Sequence, residues 1–194
     1  MKKLNTIFFI FLMTVSCAQE KESIKYANSI TINDLKDLLS IYSSDDFEGR
    51  QTGTKGDRAA ANFLREFYIN NQIEPALNTI DYFQPYQLNL PGEMYTRNYT
   101  FPEKLRAYNR YAEGVNFVDT QNVASIIKGE IYPDSYLIIT GHLDHVGIDG
   151  DEVYNGADDN GSGTVSILEI AQAFQEAVED GVRPKISVAV SYTH

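Results

Sequence analysis

Gly141-His142-Leu143-Asp144 and, a short polar stretch later, Asn155-Gly156-Ala157-Asp158-Asp159-Asn160-Gly161-Ser162-Gly163 decide how this chain is read. The apolar run Tyr136-Leu137-Ile138-Ile139-Thr140 leads into the first piece and predicts a buried strand. A helix is predicted over 164–178, directly after the second piece, with Val165, Leu168 and Ala171 on its buried side and Phe174 and Val178 beside them. Asp149 to Tyr154 reads as a polar loop between the two. In open α/β sheets, ligands gather beyond the carboxyl ends of the strands. His142 would stand at such a strand end and Asp159 at a helix start, both on rigid supports. Imidazole with carboxylate is a donor set that suits zinc and related divalent ions. Asp144, two residues after His142, is placed to receive the second ring N–H and hold one tautomer. The plain alternative is a surface loop of ordinary turn formers, which composition alone favours.

A calcium loop is the sharper alternative. Asp158, Asn160, Ser162, Gly163 and Glu169 fall close to the spacing of an EF-hand, with Val165 at the apolar loop position. The context argues against it. An EF-hand needs a helix entering before Asp158, whereas 149–157 is rich in turn formers, and the predicted helix begins inside the supposed loop.

"GHLDHVG" followed by "NGADDNGSG" resembles the signature of the zinc aminopeptidases of metallopeptidase family twenty-eight, clan MH. Upstream, the run from Ser44 to Gly56, "SDDFEGRQTGTKG", resembles the N-terminal element of the same family, and "QNVASIIKGE" resembles its strand before the His-x-Asp strand. The resemblance implies an α/β chain, a three-layer α/β/α arrangement around a mixed, mostly parallel central sheet. It implies that His142 and Asp159 are metal ligands, with Asp159 bridging two zinc ions, and that Asp144 serves catalysis by orienting His142. In the family, a Glu-Glu pair follows the strand predicted at 186–192; its first Glu is the general base and its second a ligand, and a later Asp and His complete the set. Those residues lie beyond His194, so the sheet is expected to be incomplete at its C-terminal side and this chain by itself to lack hydrolysis and hold zinc poorly. The implied reaction is removal of N-terminal residues from a peptide substrate. A single-zinc glutaminyl cyclase, a carboxypeptidase acting on acidic dipeptides and a non-catalytic binding module of the same fold remain as alternatives. Neither His145 nor His194 receives a role, and Glu48 with Arg50 is expected to form a structural ion pair.

Residues 1–17 read as a targeting segment, with Lys2 and Lys3 before an apolar run from Ile7 to Val15 that is too short to span a bilayer. Val15-Ser16-Cys17 resembles a bacterial lipobox, which implies lipidation at Cys17, export to the cell envelope and a membrane link through that anchor alone; Thr14 departs from the usual Leu and leaves an ordinary secretory signal open. Cys17 is the sole cysteine, so no disulfide framework exists. Residues 18–29 read as a polar tether and 30–194 as the N-terminal part of a catalytic domain. Without Lys2 and Lys3 the basic count falls from 16 to 14 against 27 acidic residues, moving the net charge from −11 to −13. That balance disfavours nucleic acid and anionic surfaces as partners.

The other elements follow from local pattern. Thr31 and Asp34 have capping-box spacing before a helix over 31–42 whose shared face would hold Ile32, Leu35, Leu38, Leu39 and Tyr42. Thr54 and Asp57 repeat that spacing before a helix over 57–70 with Ala60, Phe63, Leu64 and Phe67 on one face. Strands are predicted within 80–90, over 120–128 and over 186–192, and a hairpin or loop within 95–111.

Overall fold

Thr side chains start the first two helices. In the computed structural model, which describes residues 23–89 and 117–194, helix α1 spans Ile32–Tyr42 and helix α2 spans Lys55–Asn70. The Thr31 hydroxyl accepts the Asp34 N–H at 3.2 Å and the Thr54 hydroxyl the Asp57 N–H at 3.4 Å, so both predicted caps form. The α1 face turns differently from the expectation. Tyr42 is buried and Leu35, Leu38 and Leu39 are partly so, but Ile32, in the first turn, is 72% exposed. On α2 the buried stripe runs through Ala60, Ala61, Leu64 and Tyr68, with Phe63 and Phe67 at its flanks. Tyr68 can occupy the core because its hydroxyl bonds the Tyr192 hydroxyl at 2.7 Å, which removes the cost of an unpaired polar group.

Strands β1 (Glu74–Pro75), β2 (Phe83–Asn89), β3 (Phe117–Ile127), β4 (Tyr132–His142) and a later strand at Ile186–Thr193 build one sheet; a small hairpin, β5 (Gly147–Asp149) with β6 (Glu152–Tyr154), stands apart. The hairpin replaces the loop expected over 149–154. Helix α3 (Ser162–Glu179) follows it and returns the chain to β7 (Ile186–Thr193). The strand order is β1-β3-β7-β4, with β2 also paired to β3. The α/β class and the mixed sheet agree with expectation. The parallel majority does not hold among the described residues: β4 runs parallel to β7, while β1–β3, β2–β3 and β3–β7 are antiparallel.

Alternate residues of the middle strands face the helices. Val123 pairs with Tyr192 and Ile127 with Val188 across β3 and β7, and these four with Val190 join Leu64, Tyr68, Val165, Leu168 and Ala171 in one core. The helices α1, α2 and α3 contribute to that single core, so the described residues supply one helical layer of the expected three-layer arrangement. The run expected to be a strand is one, and among the described residues it pairs only with β7, leaving Tyr136, Leu137 and Ile138 45%, 45% and 65% exposed. An apolar strand exposed on one edge is what a sheet incomplete on that side presents.

Residues 23–27, placed in the polar tether by sequence, form a helical turn whose Tyr26 packs on Ala173 and Ala177 of α3 and donates its hydroxyl to Asp180 at 3.1 Å. The segments expected as a signal (1–17, including Cys17) and as a hairpin or loop (95–111) lie outside the described residues. Among the described residues no helix is long and apolar enough to cross a membrane.

Candidate metal centre

His142 is the last residue of β4, and its backbone is held twice. It is paired in register with Thr193 of β7, and its carbonyl accepts the Thr164 hydroxyl of α3 at 3.1 Å. From Leu143, which is fully buried, the chain crosses to the hairpin and returns through Gly156, at φ 56°, to Asp159 just before α3. The Asp159–Asn160 peptide is cis.

These two ends bring their side chains together. His142 Nε2 lies 3.0 Å from Asp159 Oδ1. The other ring nitrogen, Nδ1, lies 3.0 Å from the Asp144 main-chain oxygen and 3.5 Å from its carboxylate Oδ1. A carbonyl can only accept, so Nδ1 carries a proton; the Asp159 carboxylate also only accepts, so its contact with Nε2 needs either a second ring proton or a cation between the two atoms. Asp144 therefore meets the ring through its main chain more closely than through the carboxylate that sequence reasoning assigned to the task. The carboxylate accepts the Thr52 hydroxyl at 3.0 Å.

A cavity of about 220 Å³ opens between His142, Asp144, Asp159, Gln51, Thr52 and His145. His145 had no role by sequence. Its Nδ1 stands 3.9 Å from Asp159 Oδ2, on the oxygen that His142 does not touch. Its ring lies against Gly156, where a Cβ would come within 2.4 Å of His145 Cγ. Burial pushes the His145 imidazole below the usual histidine range, against the pull of Asp159. His194, also without an assigned role, is buried outside the cavity wall, with Nε2 3.0 Å from the Thr120 hydroxyl and 3.0 Å from the Gln121 carbonyl.

Arg50 departs furthest from expectation. It forms no ion pair with Glu48, which instead meets Lys55 at 3.2 Å. Arg50 is wholly buried, and its guanidinium donates to main-chain carbonyls: Nε to Leu143 at 3.0 Å, Nη1 to Tyr42 at 2.9 Å and to Asn155 at 2.7 Å, Nη2 to Gly156 at 2.9 Å. Nothing in the local sequence marks this, because Leu143, Asn155 and Gly156 are distant along the chain.

The donor set fits zinc as far as it goes. Two ligands of a tetrahedral zinc, each about 2.0–2.1 Å from the ion, stand about 3.3 Å apart. The observed 3.0 Å between Nε2 and Oδ1 needs only a small opening to admit one. Among the described residues no group of three or more His, Cys, Asp or Glu forms a metal cluster; His142 and Asp159 stand as a pair. The calcium-loop alternative fails on structure. Asp158 is preceded by β6 rather than by a helix, and Glu169, which would close such a loop, is buried within α3.

The model of Peptidase family M28 matches residues 122–193. Among solved structures, the chain is similar to glutaminyl cyclase of Macrostomum lignano, with TM-score 0.57 and 11% identity over 87% of this chain and 39% of that one. It is similar to a Zn-dependent exopeptidase of Parabacteroides distasonis, with TM-score 0.53 and 14% identity over 84% of this chain and 46% of that one. It is also similar to glutaminyl cyclase of Porphyromonas gingivalis, with TM-score 0.54 and 14% identity over 84% and 46%. At these identities the likeness is one of fold, and the chain spans less than half the length of each. No curated protein matches the sequence. Residues 122–193, the stretch that carries both His142 and Asp159, match the model of Peptidase family M28, and the chain has the fold of the zinc exopeptidase and glutaminyl cyclases named here.

Proposed function

We propose that this chain is part of a zinc-dependent aminopeptidase of the cell envelope, acting on peptides, and that His142 and Asp159 are its share of the metal site. The observation that carries the reading is the 3.0 Å approach of Nε2 to Oδ1 from opposite ends of a β-loop-α unit. Zinc held there would supply a Lewis acid for a peptide carbonyl and make water more acidic. The chain's own residues do the rest of what can be derived. The Asp144 carbonyl holds the Nδ1 proton and so leaves Nε2 as the nitrogen that would bind the ion. Asp159 presents one oxygen toward His142 and the other toward His145, an arrangement that suits a carboxylate shared between two ions.

Zinc titration of the full chain, followed through the histidine ring nitrogens by NMR, tests the ligand assignment. Zinc should shift the His142 ring signals in the wild type, weakly bound though it is with two protein donors. That response should vanish in Asp159→Asn, with the fold retained. A wild-type chain whose His142 signals ignore zinc overturns the metal reading. The glutaminyl cyclase alternative rests on the same fold and on one zinc rather than two. The metal-to-protein ratio of a longer form bearing the whole ligand set separates them: two ions support the aminopeptidase, one the cyclase. Export with lipidation at Cys17 belongs to the same reading and rests on the pattern of residues 1–17.

A further inference from the structure

Arg50 is a cation in the core with carbonyls for partners. Its side chain is inaccessible to solvent, it stacks over the Tyr42 ring at 4.5 Å, and burial pulls its guanidinium below the usual arginine range. A buried charge is costly unless its hydrogen bonds are satisfied, and a packed apolar side chain would fill the same volume at less cost. What an apolar residue could not do is hold several carbonyls at fixed separations. The guanidinium is a rigid planar fork whose donors point in set directions. Here Nε takes the Leu143 carbonyl, directly after His142, and Nη1 and Nη2 take the Asn155 and Gly156 carbonyls, on the strand of chain that delivers Asp159. These acceptors lie 93 to 106 residues from Arg50 in sequence and come from the two arms of the site. The Arg50 main-chain oxygen also accepts the His145 N–H at 3.1 Å.

The turn that aims Arg50 is strained to do so. Glu48, Gly49 and Arg50 have φ of 49°, 63° and 51°, in a region that costs an L-residue with a Cβ about 1–2 kcal/mol. Strain of this kind persists where the surroundings over-determine it, and here the surroundings are the site's own backbone.

We propose that Arg50 is the positioning residue of the site, its fork setting the gap between His142 and Asp159 and the orientation of the His142 ring. The part about metal rests on the zinc reading above; the part about geometry does not. Lys at this place would keep the charge and lose the span, since its three donors leave a single nitrogen.

The test uses the full chain and its Arg50→Lys variant, with Leu64→Ala as a control that opens a cavity in the core and removes no hydrogen bond of the site. In metal-free wild type the His142 ring should report one fixed orientation, with its Nδ1 proton held against the Asp144 carbonyl. In Arg50→Lys the ring should report averaged orientations, and the zinc Kd should rise at least tenfold under conditions where both proteins are folded. Leu64→Ala should keep the wild-type ring signals and a zinc Kd within twofold. Unchanged ring signals in Arg50→Lys, or an equal change in Leu64→Ala, would overturn the proposal. If the wild type ignores zinc, the metal reading falls while the ring signals still decide the clamp. If Arg50→Lys does not fold, the wild type decides. Resolved, slowly exchanging guanidinium resonances of Arg50 that move with the His142 signals on zinc addition support the clamp; a motionally averaged guanidinium set overturns it.

Discussion

Gly49 and Gly150 offer a comparison in which one cost is common and the other is not. Both have left-handed backbone, φ 63° and 60°. A Cβ at Gly150 meets nothing within 4 Å, whereas a Cβ at Gly49 falls 2.5 Å from the Gly147 carbonyl oxygen and 2.6 Å from that of Tyr154. Those oxygens belong to the two strands of the hairpin between His142 and Asp159, and backbone atoms cannot swing aside as a side-chain tip can. Ala at either place costs about 1–2 kcal/mol for the left-handed conformation, partly offset by about 0.4–1 kcal/mol from the stiffer unfolded chain. Only Gly49→Ala adds overpacking, about 1–3 kcal/mol. For a chain of this size each kcal/mol moves the melting temperature by about 2–4 °C. Gly49→Ala should therefore melt about 2–12 °C below Gly150→Ala, read by thermal unfolding in circular dichroism, and should alone move the His142 ring signals. Losses within about 0.5 kcal/mol of one another, below the overpacking range, would show that the hairpin does not press on the Asp45–Arg50 turn, and the packing account of the site's floor would fail.

Burial first, then the nearby Asp34 and Glu176, pushes the Glu169 carboxyl above the usual carboxylate range. A raised native pKa means stability that is present at low pH and lost as pH rises through it, so Glu169→Gln should melt higher than wild type at neutral pH. That gain should fade below about pH 4, where the wild-type carboxyl is protonated too; a gain that persists in acid would assign the effect to something other than charge. Lipidation at Cys17 predicts membrane-fraction recovery and incorporation of labelled fatty acid in a bacterial host for the full chain, both abolished by Cys17→Ser; label retained in the variant would refute it.

What could be read in the sequence is what short spacing controls. Thr31 with Asp34 and Thr54 with Asp57 mark helix starts because a capping bond closes over three residues. His142 and Asp159 could be matched because a strand, a loop and a helix run consecutively and the loop returns on itself. β4 shows how far local pattern reaches. Its apolar run specifies a strand but not the strands beside it, and among the described residues it is flanked on one side alone. Arg50 shows the same limit from the polar side. An arginine beside a glutamate invites an ion pair, since that is a local partner for its charge. The fold instead gives it carbonyls, because an ion pair would satisfy one donor face and leave the Leu143, Asn155 and Gly156 oxygens without this donor. The recognisable pair, His142 and Asp159, is thus only half of what shapes the site. The other half is a residue whose partners are main-chain atoms, which have no residue type to recognise, and it becomes visible only when the backbone is in place.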